Sequence, residues 1–289
     1  MTKKFGLVAA FSKPEAAELA SHIAAWLTSR GYGVVTESEL NQHGYAETEA
    51  IVVLGGDGLM MRAANAYPDK PLLGINFGKV GFLAFVEQQD WQTAMSALVD
   101  DQFQIEHNST LQATLLRDGR EIDQGWAIND VVIRSGNRML DIEVYIDGYF
   151  VNTYPGDGMI VSTARGSTAY CMAAGGPILT AGVRGFAIVP ISCHSPIRTP
   201  MVASEEASIE LVVANDHEGT VILDGRSLLG VRHRDVFKIQ RGKHTFQLVK
   251  VGSSDFYKAV RDKFNFQIRP GVVPSRQAAA TAPDNTKFA

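Results

Sequence analysis

The run Ile51-Val52-Val53-Leu54-Gly55-Gly56-Asp57-Gly58-Leu59-Met60-Met61-Arg62-Ala63-Ala64 constrains the fold more than any other stretch of this chain. Unbroken apolar residues with no polar alternation describe a strand covered on both faces, as in a parallel sheet under helices. Three glycines around one carboxylate then end the strand, and a helix opens directly after them. Such a turn presents bare backbone N–H groups at a helix N-terminus, which favours an anion. A carboxylate in that place repels a phosphate unless it has a task of its own. Taking a proton from a hydroxyl that attacks phosphorus is such a task. On this reading Gly55, Gly56 and Gly58 bind phosphate and Asp57 is catalytic. The competing reading is a plain turn, with glycine supplying positive φ and Asp57 capping the helix. The motif lacks the Lys-Ser/Thr pair of a Walker A loop, and its glycines are wrongly spaced for the dinucleotide fingerprint.

The surrounding sequence alternates strand and helix. Strands are expected at Phe5–Ala10, Val34–Thr36, Ile51–Leu54 and Leu72–Ile75. Helices are expected at Pro14–Ser29, with Ser12 as N-cap and Gly31 beyond the end, at Gly58–Ala66 and at Trp91–Asp100. This order implies a parallel sheet covered by helices, in a domain over residues 1–105. From about Phe103 short β-branched or aromatic runs take over, among them Gln112–Leu116, Ala127–Arg134, Ile142–Ile146, Tyr149–Asn152 and Met159–Ser162. Asp147-Gly148 is a two-residue hairpin signal. Ile188-Val189, Ile209–Val213, Val221–Leu223, Phe237–Gln240 and Thr245–Val249 continue the series. They imply a β-rich second domain over residues 106–252, interrupted by one helix from near Ser167 toward Ala174. A helix over about 253–268 is expected to fold back on the first domain. Residues 270–289, rich in Pro, Ala, Thr and Gln, read as a disordered tail.

The composition, 45% hydrophobic and 20% charged over 289 residues, is that of a chain able to build a core. A net charge of -4 provides no global basic field, so neither nucleic acid nor an anionic membrane is an expected partner. No apolar run approaches the length of a spanning helix. The first residues lack the longer apolar core and cleavage site of a signal peptide. Cys171 and Cys193 have neither metal spacing nor a disulfide framework, and are expected as buried free thiols in a reducing cytoplasm.

Two further stretches bear chemistry. Tyr154-Pro155-Gly156-Asp157-Gly158 leads through the strand Met159–Ser162 into Thr163-Ala164-Arg165-Gly166-Ser167-Thr168-Ala169-Tyr170. Ser167 and Thr168 offer hydroxyls and N–H groups at a helix start, and Tyr170 offers a ring with a polar tip. The plainer reading is a capped helix inside a β domain. Within Ala127-Ile128-Asn129-Asp130-Val131-Val132-Ile133, two polar residues interrupt an apolar strand. They suit a nucleoside, which carries ring nitrogens, an amine and ribose hydroxyls; a solvated bulge or edge is the alternative.

In this ordered set the chain resembles the bacterial NAD kinases, from about Lys3 to about Gln267. Gly55–Gly58 alone also resembles the motif of diacylglycerol kinases, sphingosine kinases and phosphofructokinases. Gly74-Ile75-Asn76-Phe77-Gly78-Lys79-Val80-Gly81-Phe82-Leu83, Asn129-Asp130 and the segment from Gly156 to Ile178 narrow it. The resemblance implies transfer of the ATP γ-phosphoryl group to the 2′-hydroxyl of the adenosine ribose of NAD, giving NADP, with Mg²⁺. It implies an N-terminal Rossmann-like α/β domain, a C-terminal β-sandwich-like domain and a site between them. It implies a homodimer or homotetramer in which a neighbouring subunit helps complete the dinucleotide pocket.

The resemblance also assigns residues. Asp57 is the proton acceptor. Gly58 and Arg62 lie near the ribose and phosphates, and Phe82 packs near the adenine. Asn129 and Asp130 hold the nucleoside. Arg138 and Asp157 are dinucleotide contacts. Gly166, Ser167, Thr168, Ala169 and Tyr170 wrap the nucleoside. Four positions depart from the family pattern. Arg165 and Ala164 stand where Thr-Pro-Thr-Gly usually runs, and Arg165 either contacts a phosphate of NAD or turns to solvent. Arg226 follows Asp224-Gly225 where Gln is usual and is placed in the NAD site. Leu59 stands where Thr is common. No residue is assigned to the metal. The rival readings are a lipid or sugar kinase sharing only the first motif, and a non-catalytic NAD or NADP sensor.

Overall fold

The computed structural model describes residues 2–252 except Phe11, Lys79, Val80, Ala181 and Ile197, with the backbone alone at Leu228, and also Phe256, Tyr257, Ala259 and Val260. The chain divides into two compact units, Met1–Ser254 and Asp255–Ala289. In the second, the four described residues are helical. The rest of the helix expected over 253–268, and the tail expected over 270–289, lie outside the described residues.

The first third runs β1 (Lys4–Ala9), α1 (Pro14–Ser29), β2 (Gly33–Thr36), α2 (Glu37–His43), β3 (Ala50–Leu54), α3 (Asp57–Ala66), β4 (Pro71–Asn76), β5 (Val86–Glu87) and α4 (Trp91–Val99). Strands β2, β1, β3, β4 and β5 lie side by side, all parallel. All five residues of β3 are buried, as its apolar run requires. One face of this sheet packs on Leu19, Ile23 and Leu27 of α1 and Met95 and Leu98 of α4; Trp26 and Trp91 meet edge-on between those helices at 6.2 Å. The other face packs on Leu40 of α2 and Met60, Ala63 and Ala64 of α3.

Helix α1 has the expected bounds, but Lys13 rather than Ser12 is its N-cap, and no side chain caps it. Pro14 at the first helical position sets φ in advance. Helix α2 was not expected, yet its signal is in the sequence. Thr36 and Glu39 form a capping box, the Thr36 Oγ1 accepting from Glu39 N at 3.3 Å and the Glu39 carboxylate accepting from Thr36 N at 2.7 Å. Thr36→Ala is expected to cost about 0.5–2 kcal/mol, read as a lower denaturant midpoint at unchanged slope.

The rest of the first unit comprises β6 (Gln104–Arg117), β7 (Arg120–Ala127), β8 (Asp130–Ser135), β9 (Leu140–Ile146), β10 (Tyr149–Gly156), β11 (Gly158–Ser162), α5 (Tyr170–Ala173), β12 (Gly185–Ile191), β13 (Met201–Ser204), β14 (Ile209–Val213), β15 (Gly219–Leu223), β16 (Arg226–Val231) and β17 (Val236–Lys250). A six-stranded sheet has the order β13-β12-β11-β8-β15-β16. It packs Val131, Ile133, Val161 and Ile188 against Leu111, Ile142, Leu211 and Phe237 of the larger sheet. This is the expected α/β plus β-sandwich architecture.

Two features differ from the sequence reading. Phe237–Gln240 and Thr245–Val249 are one strand, β17, with a bulge between Arg241 and Thr245 where it pairs with β6. Gly242 sits in that bulge, and a Cβ there would lie 2.2 Å from Thr110 Oγ1. Strand β17 also pairs in parallel with β4 through Gln247 and Leu248. The parallel sheet therefore continues into the antiparallel one, eleven strands in all. Second, Ala127–Arg134 is not one strand. Strand β7 ends at Ala127 in the large sheet, β8 begins at Asp130 in the small one, and Ile128-Asn129 carry the chain between them.

Candidate active site

Asp57 is the first residue of α3, and Gly56 before it has no side chain with which to cap the helix. Its carboxylate turns away from its own helix to the loop after β4. Oδ2 accepts from Phe82 N at 2.9 Å, and Oδ1 accepts from Leu83 N at 3.0 Å and Ala84 N at 3.4 Å. The carboxylate lies so close over Gly81 that a Cβ there would stand 1.9 Å from Oδ1. The helix-capping reading of Asp57 therefore gives way to a carboxylate clamped from a second loop. The Phe82 ring is only 7% exposed and packed in the core, so the backbone of Phe82, not its ring, is what it brings to Asp57. Of the three motif glycines, Gly55 is buried and spends its N–H on Ile75 O at 2.9 Å, which removes it from the phosphate-binding set. Gly56 is half-buried beside Asn76, and Gly58 is exposed with open space around it.

Asn129 and Asp130 stand where the chain crosses between sheets, and a residue outside the expected set makes that crossing possible. Asp224 accepts from Ile128 N and Asn129 N, each at 2.7 Å, and from Asp130 N at 3.2 Å. These N–H groups have left one ladder and not joined the next, so a buried acceptor replaces the missing strand. Asp224 takes φ +47° ahead of Gly225 at +77°, the two-residue hairpin between β15 and β16. The signal for it, Asp-Gly between two apolar runs, was present in the sequence. Asn129, Asp130, Asp224, Ala169 and Tyr170 line an open cavity of about 480 Å³.

Asp130 is 5% exposed. Burial, and behind it the charge of Asp224, pushes its carboxyl up to about 7. Burial also raises Asp224, against the opposing effect of its three N–H donors and Arg226. Unfolded, Asp130 loses its proton near pH 4; folded, it keeps it to about 7. Between those values the folded state holds more protons, so stability falls as pH rises through the window and stays low above it. Asp130→Asn mimics the protonated form. It is expected to raise the melting temperature relative to the parent chain by more at pH 8 than at pH 5. An equal change at both pH values would contradict the buried-acid assignment.

The segment after β11 folds as a tight loop, a single 3₁₀ turn at Gly166–Thr168 and the four-residue α5, not the longer expected helix. A helix so short supplies no dipole of consequence. Gly166 lies against the Asn129 carbonyl, where a Cβ would stand 2.1 Å from the oxygen. Ser167 is fully buried; its Oγ donates to Ala164 O at 2.6 Å and accepts from Leu179 N at 3.0 Å. Its hydroxyl thus holds the loop together. Thr168 donates to Arg165 O at 3.3 Å. Ala169 and Tyr170 remain on the cavity wall.

Arg165 does not turn to solvent. Its side chain is 7% exposed and is paired with Glu106, which also pairs with Lys250. Its Nε donates to Asn108 Oδ1 at 2.9 Å. Burial lowers its pKa to about 10, against the charge of Asp57.

The outlying residues separate into two groups. Arg62 is half-exposed on α3 and pairs with Glu37; Arg226 donates to Asn65 Oδ1 of the same helix at 2.7 Å. Asn65 lies on the side of α3 nearer Asp57, whereas Arg62, five residues on from Asp57, faces α2. Arg138 and Asp157 are exposed and lie elsewhere. Asp130 pairs with Ser162 at one end of β8 and β11, whereas Arg134 pairs with Gly158 at the other. Four residues of strand put these ends about 13 Å apart, so one copy of the chain does not bring Asp157 and Arg138 to the Asn129 end. Both cysteines are buried free thiols, as expected.

Comparison with known proteins agrees with this fold. Residues 36–103 match the family described as the ATP-NAD kinase N-terminal domain, and residues 128–251 match the ATP-NAD kinase C-terminal domain. The chain is 50% identical over 277 residues to an NAD kinase of Thermomicrobium roseum, covering 96% of each. It is 36% identical over 234 residues to an NAD kinase of Acetivibrio thermocellus, covering 78% of this chain and 81% of that one. Among solved structures, yeast NADH kinase complexed with NADH shares the fold at a TM-score of 0.83 and 18% identity, over 94% of this chain and 90% of that one. An Archaeoglobus fulgidus NAD kinase in complex with ATP does so at 0.70 and 22%, over 92% and 98%. Matches of this extent, over both halves of the chain, make it a member of the NAD kinase family.

Proposed function

We propose that this chain transfers the γ-phosphoryl group of ATP to the 2′-hydroxyl of the adenosine ribose of NAD, giving NADP. The observation that carries this reading is the Asp57 carboxylate, fixed by three backbone N–H groups at the mouth of a glycine turn. A carboxylate held in one orientation accepts a proton from a hydroxyl aligned with it, and phosphoryl transfer asks little more of a protein than positioning and charge neutralisation. Gly56 and Gly58 face the phosphates. Asn129, Asp130, Ala169 and Tyr170 receive the nucleoside in the cavity they line. Gly166, packed on the Asn129 carbonyl, and Thr168, bonded to Arg165 O, hold the loop that carries Ala169 and Tyr170.

Magnesium fits this donor set. Among the described residues no group of three or more His, Cys, Asp or Glu gathers as a metal cage. Mg²⁺ is commonly held by one or two carboxylates with substrate phosphates and water. Asp57 is the carboxylate that would meet it here, and the ion would neutralise charge on the phosphates. Arg138 and Asp157 serve the dinucleotide of a neighbouring copy in a homodimer or homotetramer, which accounts for their place at the far end of β8 and β11. The N-terminal portion to about residue 105 carries the phosphate turn, and residues 106–252 carry the nucleoside cavity. Among the described residues no helix is long and apolar enough to cross a membrane, and the cytoplasm is the compartment we propose.

The test is incubation of the purified chain with NAD, ATP and Mg²⁺, read as NADP by an NADP-specific dehydrogenase. NADP accumulation supports the kinase. Binding of NAD without NADP supports the sensor reading instead, and phosphorylation of a lipid or sugar but not NAD supports the other rival.

A further inference from the structure

Among the described residues, Arg165 is a strongly buried cation beside the site, held by protein groups on every side that the structure shows. Its surroundings have an order. From β6, Glu106 pairs with the guanidinium and Asn108 Oδ1 accepts from its Nε at 2.9 Å. Lys250, at the end of β17, shares Glu106. These partners leave Nη1 directed at the carbonyl oxygen of Phe82, 3.4 Å away. That oxygen belongs to the peptide group whose N–H, on Leu83, donates to Asp57 Oδ1 at 3.0 Å. One peptide therefore takes a cation at its oxygen and gives its N–H to the catalytic carboxylate. Hydrogen bonds in series polarise one another, so a guanidinium at one end strengthens the donor at the other.

Resting on the kinase reading above, we propose that Arg165 is a positioning residue for the transfer step, anchored by Glu106 and Asn108 and acting on Asp57 through the Phe82–Leu83 peptide. It does not touch NAD or the triphosphate. The clamp on Asp57 is a loop, and loops carry fewer constraints than strands. Strand β6 belongs to the large sheet and pairs along most of its length with β17. Arg165 ties the loop to that rigid element. In this chain an arginine stands where the resemblance leads one to expect a small hydroxyl residue, so the tie is a device of this sequence.

The experiment measures kcat and KM for NAD and ATP in R165M, R165K, E106Q and the R165M/E106Q pair, with a melting curve for each. Methionine keeps the volume of the arginine stem and removes the charge and donors. R165M is expected to lower kcat by about 10–100-fold, since misplacement by about 1 Å has that scale of effect, with both KM values within about threefold. R165K, which keeps the charge, is expected to recover part of the loss. E106Q is expected to lower kcat in the same sense but by less, and the double variant is expected to fall no further than R165M alone. Parental kcat in R165M, or a loss carried by KM, overturns the proposal; the latter would make Arg165 a substrate contact. A purely structural role predicts kcat falling only with the folded fraction. If R165M does not fold, E106Q and R165K decide by the same criteria. A parent chain that makes no NADP would defeat the kinase reading itself, a result distinct from active parent and active R165M.

Discussion

Asp57→Asn is expected to lower NADP formation by about 10²–10⁴-fold, with the KM for NAD within a few fold. An amide replaces one carboxylate oxygen with a donor. The oxygen that remains can keep the N–H groups of Leu83 and Ala84, which both address Oδ1. The new NH₂ then faces the N–H of Phe82, which addressed Oδ2, and offers nothing to a ribose proton. The nucleoside cavity lies on other elements, along Asn129, Asp130 and Tyr170, so binding survives while the proton has no acceptor. Turnover at the parental rate would remove Asp57 from the mechanism. Steady-state NADP formation over a range of NAD concentrations reads both quantities at once.

Gly81→Ala is the second large effect. A methyl group at that position would occupy the space of the Asp57 carboxylate, 1.9 Å from Oδ1 and 2.5 Å from Cγ. The contact is with a side chain, so the carboxylate swings aside and the fold survives; the overpacking cost is about 1–3 kcal/mol. In swinging, it leaves the N–H groups of Leu83 and Ala84. The expected result is a fall in kcat of about 10–100-fold with the chain still folded by circular dichroism. A G81A chain with parental kcat would show that the orientation imposed by the 82–84 loop does not matter. The pair of variants separates two questions: D57N asks whether the acid is needed, and G81A asks whether it must be held where it is.

The parts of this molecule that were legible from residues alone are those whose cause is local. Strand β3 was clear because an unbroken apolar run has one economical home, under helices on both sides. Helix α1 had its bounds fixed by Pro14 at one end and Gly31 at the other, although the N-cap fell one residue late. The three polar stretches were visible because each breaks an apolar pattern at a glycine or a carboxylate. What was hidden is non-local. Nothing in Gln247-Leu248 tells that they lie beside Pro71-Leu72 and join two kinds of sheet into one. Ile128-Asn129 read as strand interior because Asp224, which caps their backbone, is 95 residues away from Asn129 in sequence.

At the site the same division holds. Asp57 and Asn129 stood out by type and neighbours. The roles of Gly81 and Gly166 are set by what a Cβ would strike, which only the packed structure gives. Ser167 and Arg165 have the chemistry of ligand contacts but are spent on their own protein, the serine on Leu179 and the arginine on Glu106. Their residue types could not distinguish these uses, because a hydroxyl or guanidinium binds a carbonyl or carboxylate as readily as it binds a phosphate.

A crystal structure of the D57N chain with NAD and ATP bound measures the central claim directly, because the stalled variant keeps both substrates. The 2′-hydroxyl oxygen of the adenosine ribose is expected within about 2.6–3.2 Å of the residue 57 side chain, with the γ-phosphorus on its far side. A ribose whose 2′-oxygen is out of hydrogen-bond reach of residue 57, or a side chain at 57 directed away from it, would contradict proton removal by Asp57.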